Sequence, residues 1–199
     1  MSRKMEFVPR FFNAPAASYF LFGPRGTGTS TWLRHTYPDA LIVDLLRPDV
    51  FREMSARPER LAQLVLANRD RTPVVVDEVQ RAPELLHVVH DLVERHSGLQ
   101  FVLTVSSARK LRRGGIDLLA GRAVNRTLHP FMAAELPGFG LEPALQHGLL
   151  PIVVDSEEPD DVLRAHATLY LEQEVRVEGW ARNVGFLVGL EPTGDPISG

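Results

Sequence analysis

Short apolar runs alternate with longer segments of helical periodicity through the first half of the chain, and this pattern restricts the fold most strongly. Each run is continuously apolar, as expected for a strand that is covered on both faces. The predicted strands are 19–22, 40–43, 74–76 and 101–105. The predicted helices, in which apolar residues recur at three- and four-residue spacing, are 31–36, 58–68 and 83–96. Strands that alternate with helices indicate an α/β fold with a mostly parallel sheet.

The character of the sequence changes after residue 131. Proline and glycine interrupt short helical segments, and the brief apolar run 152–154 is the only further strand candidate. A longer helix is predicted at 160–179, and the polar tail, rich in proline and glycine, is expected to be disordered. We therefore predict an α/β core at 1–130, a helical appendage at 131–189 and a disordered tail at 190–199.

The composition excludes several classes of protein. The 199 residues carry 22 basic and 25 acidic side chains, a net charge of −3, and 44% of them are hydrophobic. These values are typical of a globular protein and argue against a surface devoted to nucleic acid or anionic membrane. The absence of cysteine excludes disulfide bonds and thiolate zinc sites. No signal peptide or bilayer-spanning stretch is visible, so the sequence predicts a soluble cytoplasmic protein.

A glycine-rich segment follows the first predicted strand and precedes a predicted helix. It reads Gly23, Pro24, Arg25, Gly26, Thr27, Gly28, Thr29, Ser30. The Walker A phosphate loop has the pattern G-x-x-x-x-G-K-[ST] in the same strand-to-helix setting, and Gly23, Gly28 and Ser30 match it. Thr29 stands at the lysine position, and neither of the two lysines of the chain lies in the loop. Threonine cannot supply the charge that neutralises the β- and γ-phosphates. The loop taken alone is equally compatible with a turn that binds no ligand.

Two polar clusters follow later strands. Asp77 and Glu78 end the run 74–76 as a Walker B strand does, with one carboxylate for Mg²⁺ and one to polarise water. Thr104, Ser106 and Ser107 end the fourth strand or follow it, where hydroxyls would contact a phosphate or simply begin the next helix. Because parallel strands bring their carboxyl ends to one edge, the acidic pair and the glycine-rich loop are expected to lie together.

Other candidate sites carry less weight. The basic segment 107–115 suits a phosphate or a DNA backbone, although a solvated charged loop explains it equally well. His87 and His90 lie on the polar face of a predicted helix with no third metal ligand placed beside them. No N-K-x-D element supports a GTPase, and no acceptor-site motif supports a kinase.

The motifs together resemble the prokaryotic AAA+ ATPases, ASCE-type P-loop NTPases that normally carry a C-terminal DUF4143 domain. The resemblance spans about residues 19–186 and is carried by F-L-F-G-P-R-G-T-G-T-S-T, D-A-L-I-V-D-L-L, V-V-V-D-E-V-Q-R-A-P-E-L-L, L-T-V-S-S-A-R-K-L, L-L-A-G-R-A, A-L-Q-H-G-L-L-P and Y-L-E-Q-E-V. It implies a three-layer core that binds ATP with Mg²⁺, a helical region after it, and assembly in which an arginine reaches the nucleotide of a neighbouring copy.

The resemblance also implies roles for individual residues. Loop residues 23–30 would cradle the phosphates, Ser30 and Asp77 would hold Mg²⁺, and Glu78 would be the catalytic base. Ser106 or Ser107 would be the polar sensor, and Arg122 is the candidate arginine for the γ-phosphate.

The chain departs from the family pattern at three places. Thr29 replaces the lysine, Val105 replaces the glycine usual before the serine pair, and the chain ends at Gly199 without a DUF4143 domain. The sequence therefore predicts an ATP-binding module with impaired hydrolysis, in a truncated or decaying gene copy or in a remnant that retains a role. A non-catalytic DNA- or protein-binding module is the alternative, and enzymatic activity is left open.

Overall fold

The computed structural model describes residues 6–106, 119 and 121–170. Its strands are β1 (Tyr19–Phe22), β2 (Leu41–Asp44), β3 (Val74–Asp77), β4 (Phe101–Val105) and β5 (Val124–Thr127). Its helices are α1 (Thr29–Thr36), α2 (Pro48–Ala56), α3 (Arg60–Ala67), α4 (Leu85–Arg95), α5 (Leu141–His147), α6 (Pro151–Val154) and α7 (Pro159–Tyr170). Short 3₁₀ turns occupy Val79–Arg81 and Ala133–Glu135.

The five strands form one sheet in the order β2-β3-β4-β1-β5, and every neighbouring pair is parallel. Strand β4 therefore lies between β1, which leads into the glycine-rich loop, and β3, which ends in Asp77. Register aligns Phe22 with Val105 and Val76 with Leu103. The loop and the ends of β3 and β4 consequently meet at the carboxyl edge of the sheet, where parallel α/β sheets bind ligands.

Helices cover both faces of the sheet. Successive strand residues point to opposite faces, so Tyr19 and Leu21 pack against Trp32 and Leu33 of α1. On the other face lies a larger core built from alternate strand residues and from α2, α3 and α4. Its fully buried members include Leu61, Val65, Val76, Leu85, Val89, Phe101 and Leu103. The predicted α/β class, its parallel sheet and the three-layer core are therefore confirmed.

Three local features differ from the sequence prediction. Helix α2 was not predicted; it has nine residues, and Met54 is its only buried one, with Val50 and Phe51 partly buried against the core. Strand β5 was not predicted because its four residues are all exposed, so its pairing with β1 leaves no apolar pattern. The apolar run 152–154 is helical rather than extended: Pro151 begins the short helix α6, and Val153 is buried while Ile152 is half-exposed.

The chain beyond residue 131 is helical as far as it is described. Helix α7 begins at Pro159, close to the predicted start at 160, and the predicted continuation through 171–179 lies outside the described residues, as does the tail 190–199. The division into 1–130 and 131–189 stays a prediction. None of the helices in the described part of the chain has the length and apolar character that crossing a membrane requires.

Candidate functional site

The glycine-rich loop 23–30 makes a tight turn between β1 and α1. Gly26 and Gly28 have φ angles of 85° and 78°, a left-handed conformation that glycine adopts without steric cost. Thr27 is the anchor of the turn: its N–H and its Oγ1 both donate to Pro24 O, at 3.2 and 2.7 Å. A Cβ at Gly23 would lie 2.7 Å from Thr29 Oγ1 and 2.8 Å from Thr27 Oγ1, so a side chain there would displace both hydroxyls. The backbone of the loop is therefore folded closely on itself.

Several backbone N–H groups of the folded loop have no acceptor among the described residues. Helix α1 has no side-chain cap, and its first backbone bond is that of Trp32 N–H to Gly28 O. Among the described residues, no hydrogen-bond acceptor is provided for the N–H groups of Gly26, Gly28, Thr29, Ser30 and Thr31. Unsatisfied N–H groups at the start of a helix, together with those of a left-handed turn, form a concave site of positive potential that suits an anion.

Asp77 and Glu78, at the end of β3, form what we call the acidic edge of the site. Asp77 connects this edge to the loop. Its Oδ2 accepts a hydrogen bond from Ser30 Oγ at 3.0 Å, and its Oδ1 accepts one from Thr104 Oγ1. The Thr104 hydroxyl in turn accepts the Glu78 N–H at 2.8 Å. The structure therefore brings Ser30 and Asp77 together, as the two predicted metal ligands, on adjoining ends of α1 and β3.

Glu78 has an unusual backbone conformation. Its φ of 62° is left-handed, which costs a non-glycine residue about 1–2 kcal/mol and is common at functional sites. Its Oε2 accepts hydrogen bonds from Ser106 Oγ at 2.6 Å and from Gln80 Nε2. Gln80 Nε2 also donates to Ser106 Oγ at 3.0 Å, and Gln80 Oε1 is a buried acceptor with no hydrogen-bond partner among the described residues. Glu78 and the predicted sensor Ser106 are thus in direct contact.

The loop and the acidic edge open into one cavity of about 470 Å³. All eight loop residues line it, together with Glu78 and Ser106, and Arg25 is exposed at its border. Helix α6 lies against the loop: Ile152 N–H donates to Gly26 O at 3.3 Å, and a Cβ at Gly26 would lie 2.7 Å from Ile152 Cγ2.

Two residues that contact the candidate site were not found by sequence reasoning. Gln80 lies within the quoted motif V-D-E-V-Q, but only the structure reveals its contact with Glu78. Arg10 belongs to the extended N-terminal segment and donates from Nη1 to Thr27 O in the loop, at 3.0 Å. Nothing in the sequence around Arg10 signals this contact, because its partners lie far away along the chain.

The other predicted residues lie elsewhere. Arg122 precedes β5 and pairs with Glu94 near the end of α4; the pair raises the pKa of Arg122 and lowers that of Glu94. Because β5 starts in register with Tyr19, Arg122 lies at the amino edge of the sheet, and the structure does not bring it to the loop. Ser107 and the basic segment 107–115 fall in the undescribed range 107–118. Within the described ranges no cluster of three metal-binding side chains occurs, so His87 and His90 gain no third ligand.

Comparison with known proteins identifies the family. The sequence profile described as "AAA domain" matches residues 16–137, which include the loop and the acidic edge. No curated protein matches the sequence. Among solved structures, the Walker-type ATPase PABY2304 of Pyrococcus abyssi matches 86% of this chain and 70% of its own, with 16% identity and a TM-score of 0.46. The profile match covers more than half of the chain, and the chain therefore belongs to the AAA domain family.

Proposed function

We propose that this protein is an ATP-binding AAA module that holds MgATP at loop 23–30 and hydrolyses it slowly because Thr29 replaces the Walker A lysine. The observation that carries this proposal is the set of backbone N–H groups that have no acceptor among the described residues, those of Gly26 and of residues 28–31, beside the hydrogen-bonded pair Ser30 and Asp77. Family membership supports ATP as the ligand.

The chemistry of the loop fits phosphate groups. Its donors are backbone N–H groups, which keep their polarity at every pH and need no side-chain ordering to bind an anion. The loop is held in its shape by Thr27 and by the left-handed glycines, so little conformational entropy is lost when a ligand binds. A cavity of about 470 Å³ lies within the range of small-molecule sites.

The chemistry of the acidic edge fits Mg²⁺. Ser30 Oγ and the Asp77 carboxylate are hard oxygen donors, which this cation prefers, and the two side chains already touch. When bound, Mg²⁺ would neutralise charge on the phosphate oxygens. The hydrogen bond from Thr104 fixes the orientation of Asp77, so the carboxylate is preorganised toward Ser30.

Glu78 is proposed as the base that orients the attacking water. Glu78 lines the cavity beside the loop. The bonds from Ser106 and Gln80 occupy Oε2 and restrict the carboxylate to one position. Oε1 is therefore the oxygen that would accept a proton from water.

Thr29 is the proposed reason for slow turnover. Its hydroxyl faces Thr27 Oγ1 at 3.2 Å, and its short side chain carries no charge. Loss of one preorganised group that stabilises the transferring phosphate costs about 3–4 kcal/mol of transition-state stabilisation, a rate loss of roughly a hundredfold or more.

The test compares the parent with Thr29→Lys by calorimetric titration of MgATP and by phosphate release. We expect the parent to bind MgATP, and Thr29→Lys to bind more tightly or turn over about a hundredfold faster. Thr36→Lys is the matched control, since it adds the same charge at the exposed far end of α1 and should change neither quantity. A parent that does not bind MgATP, or a Thr29→Lys variant that neither binds nor hydrolyses better, overturns the proposal.

A further inference from the structure

Arg10 and Glu135 form a buried ion pair beside the loop. The Nε of Arg10 lies 3.1 Å from Glu135 Oε2, and the two side chains are only 5% and 2% exposed. Glu135 also accepts the Phe11 N–H at 2.5 Å and the Met132 N–H at 2.9 Å. Buried charges persist only when they are paired and hydrogen-bonded, and here the carboxylate satisfies this condition completely.

The guanidinium of Arg10 connects three separate segments of the chain. Its Nη1 donates to Thr27 O in the loop at 3.0 Å, its Nη2 donates to His129 O after β5, and its plane lies 4.6 Å from the Phe131 ring centre. The planar guanidinium group of arginine carries several N–H donors, which suits it to such simultaneous contacts. The contact with Thr27 O therefore links the extended N-terminal segment and residues 129–135 to the loop.

The bond to Thr27 O has a direct consequence for the next peptide unit. In a trans peptide, the C=O of one residue and the N–H of the following residue point in opposite directions. Because Arg10 holds Thr27 O toward itself, the Gly28 N–H points away from Arg10. Gly28 N–H is one of the loop donors for which the described part of the chain provides no acceptor. Arg10 thus restrains the orientation of a donor that the loop offers to an anion.

We propose that Arg10 is a positioning residue of the nucleotide site: it fixes the Thr27–Gly28 peptide and couples the loop to residues 129–135 through Glu135. Its contribution to nucleotide affinity rests on the proposed function, whereas its effect on the loop does not. The loop lacks the lysine that would itself bridge loop and phosphate, so its geometry depends more heavily on this outside contact.

The experiment measures two quantities on the full chain: the ¹⁵N order parameter of the Gly28 amide without nucleotide, and the affinity for MgATP. The variants are Arg10→Met, which removes the donors, and Arg10→Lys, which keeps the charge but not the fork. Arg71→Met is the matched control, because Arg71 donates to Asp39 O at 3.4 Å and Ala40 O at 2.8 Å at the opposite edge of the sheet.

We expect Arg10→Met to lower the Gly28 order parameter from about 0.85 to below about 0.6, while the amides of β4 stay rigid. Affinity for MgATP should fall about tenfold, as expected for loss of one charged hydrogen bond. Arg10→Lys should lower the Gly28 order parameter and the MgATP affinity by smaller amounts. If Arg10→Met does not fold, the result with Arg10→Lys tests the positioning role. Arg71→Met should leave both quantities as in the parent.

The outcomes separate this proposal from the function it rests on. A parent that fails to bind MgATP, combined with a loosened Gly28 in the Arg10 variants, removes the function but supports the positioning role. A parent that binds, with Arg10 variants equal to it in both quantities, overturns the positioning role. Equal loosening of Gly28 and of the β4 amides also overturns it, since Arg10 would then stabilise the whole fold rather than the loop.

Discussion

The two halves of the candidate site are built in different ways. The acidic half consists of side chains at the ends of β3 and β4, where Asp77, Thr104, Glu78 and Ser106 bond one another in a continuous network. The loop half consists of backbone, and Thr29 stands where a charged side chain would complete it. The side chains proposed to bind Mg²⁺ and to orient water are therefore already in contact, whereas the charge that would clamp the phosphates is missing. Binding and turnover can change independently in such a site.

The two halves also depend on different parts of the molecule. The acidic half is fixed by neighbouring strands in register, so its geometry follows from the sheet itself. The loop half is fixed from outside, by Arg10 on one side and by Ile152 of α6 on the other. Substitutions far from the loop in sequence are therefore expected to affect the loop half and to spare the acidic half.

The largest effect is expected from Asp77→Asn, which tests the acidic half. The amide retains the size of the carboxylate but lacks its charge, so Mg²⁺-dependent affinity for ATP should fall at least about a hundredfold. Asp44→Asn is the matched control: Asp44 aligns with Asp77 in the sheet, but its Oδ1 accepts Leu46 N–H at 2.9 Å rather than a loop hydroxyl. Titration of MgATP into each variant measures the difference.

A similar loss in both variants would show that the acidic half acts through fold stability alone. An Asp77→Asn variant with parental affinity and parental Mg²⁺ dependence would remove Asp77 from the metal site. The thermal midpoint of each variant, measured without nucleotide, separates these cases from unfolding.

A smaller effect is expected from Gly26→Ala, which tests the loop half. Alanine at a φ of 85° is strained by about 1–2 kcal/mol, and its Cβ would lie 2.7 Å from Ile152 Cγ2, so the Ile152 side chain of α6 must shift. Gly138→Ala is the matched control, since Gly138 has a φ of 70° but no atom within 4 Å of a Cβ. We expect both variants to be destabilised, Gly26→Ala more so, and only Gly26→Ala to bind MgATP about tenfold more weakly.

Unfolding by urea and titration of MgATP measure the two effects. If Gly138→Ala weakens MgATP binding as much as Gly26→Ala does, backbone strain distant from the loop also lowers the affinity. The contact of α6 with the loop would then have no special role.

Most of the sheet and most of the acidic half could be predicted from the sequence, because both depend on short, contiguous sequence segments. Strands β1 and β4 were predicted to the residue, and continuous apolar runs identify buried parallel strands without tertiary information. The approach of Ser30 to Asp77 was expected because parallel strands bring their carboxyl ends to one edge of the sheet.

The remaining features depend on contacts between distant segments. Arg10 and Glu135 are 125 residues apart, and neither belongs to a motif. The contact of Gln80 with Glu78 joins side chains whose positions no local sequence pattern defines. Strand β5 has exposed side chains, so only its backbone pairing with β1 defines it.

The position of Arg122 likewise depends on a contact between distant segments, and substitution of Arg122 is expected to give the smallest effect. It pairs with Glu94 at the surface, at the sheet edge opposite the loop, so a role at the γ-phosphate would require a neighbouring copy of the chain. We expect Arg122→Gln to leave the MgATP affinity of the dilute chain within about twofold of the parent, as expected for an exposed ion pair far from the ligand. Arg95→Gln is the control, because Arg95 forms a comparable exposed pair with Asp91.

Turnover of Arg122→Gln is measured in the Thr29→Lys background over a range of protein concentrations. An effect that appears only at high concentration supports an arginine acting on a neighbour, and an effect at every concentration contradicts the placement of Arg122 away from its own loop.

The ion pair of Arg122 and Glu94 has a defined pH dependence. Since Arg122 lowers the pKa of Glu94, the contribution of the pair to stability is present above the ordinary glutamate pKa and is lost as the pH falls through the lowered value. Measuring turnover well above that range keeps Glu94 ionised in both the parent and Arg122→Gln, so a difference between them does not come from protonation of Glu94.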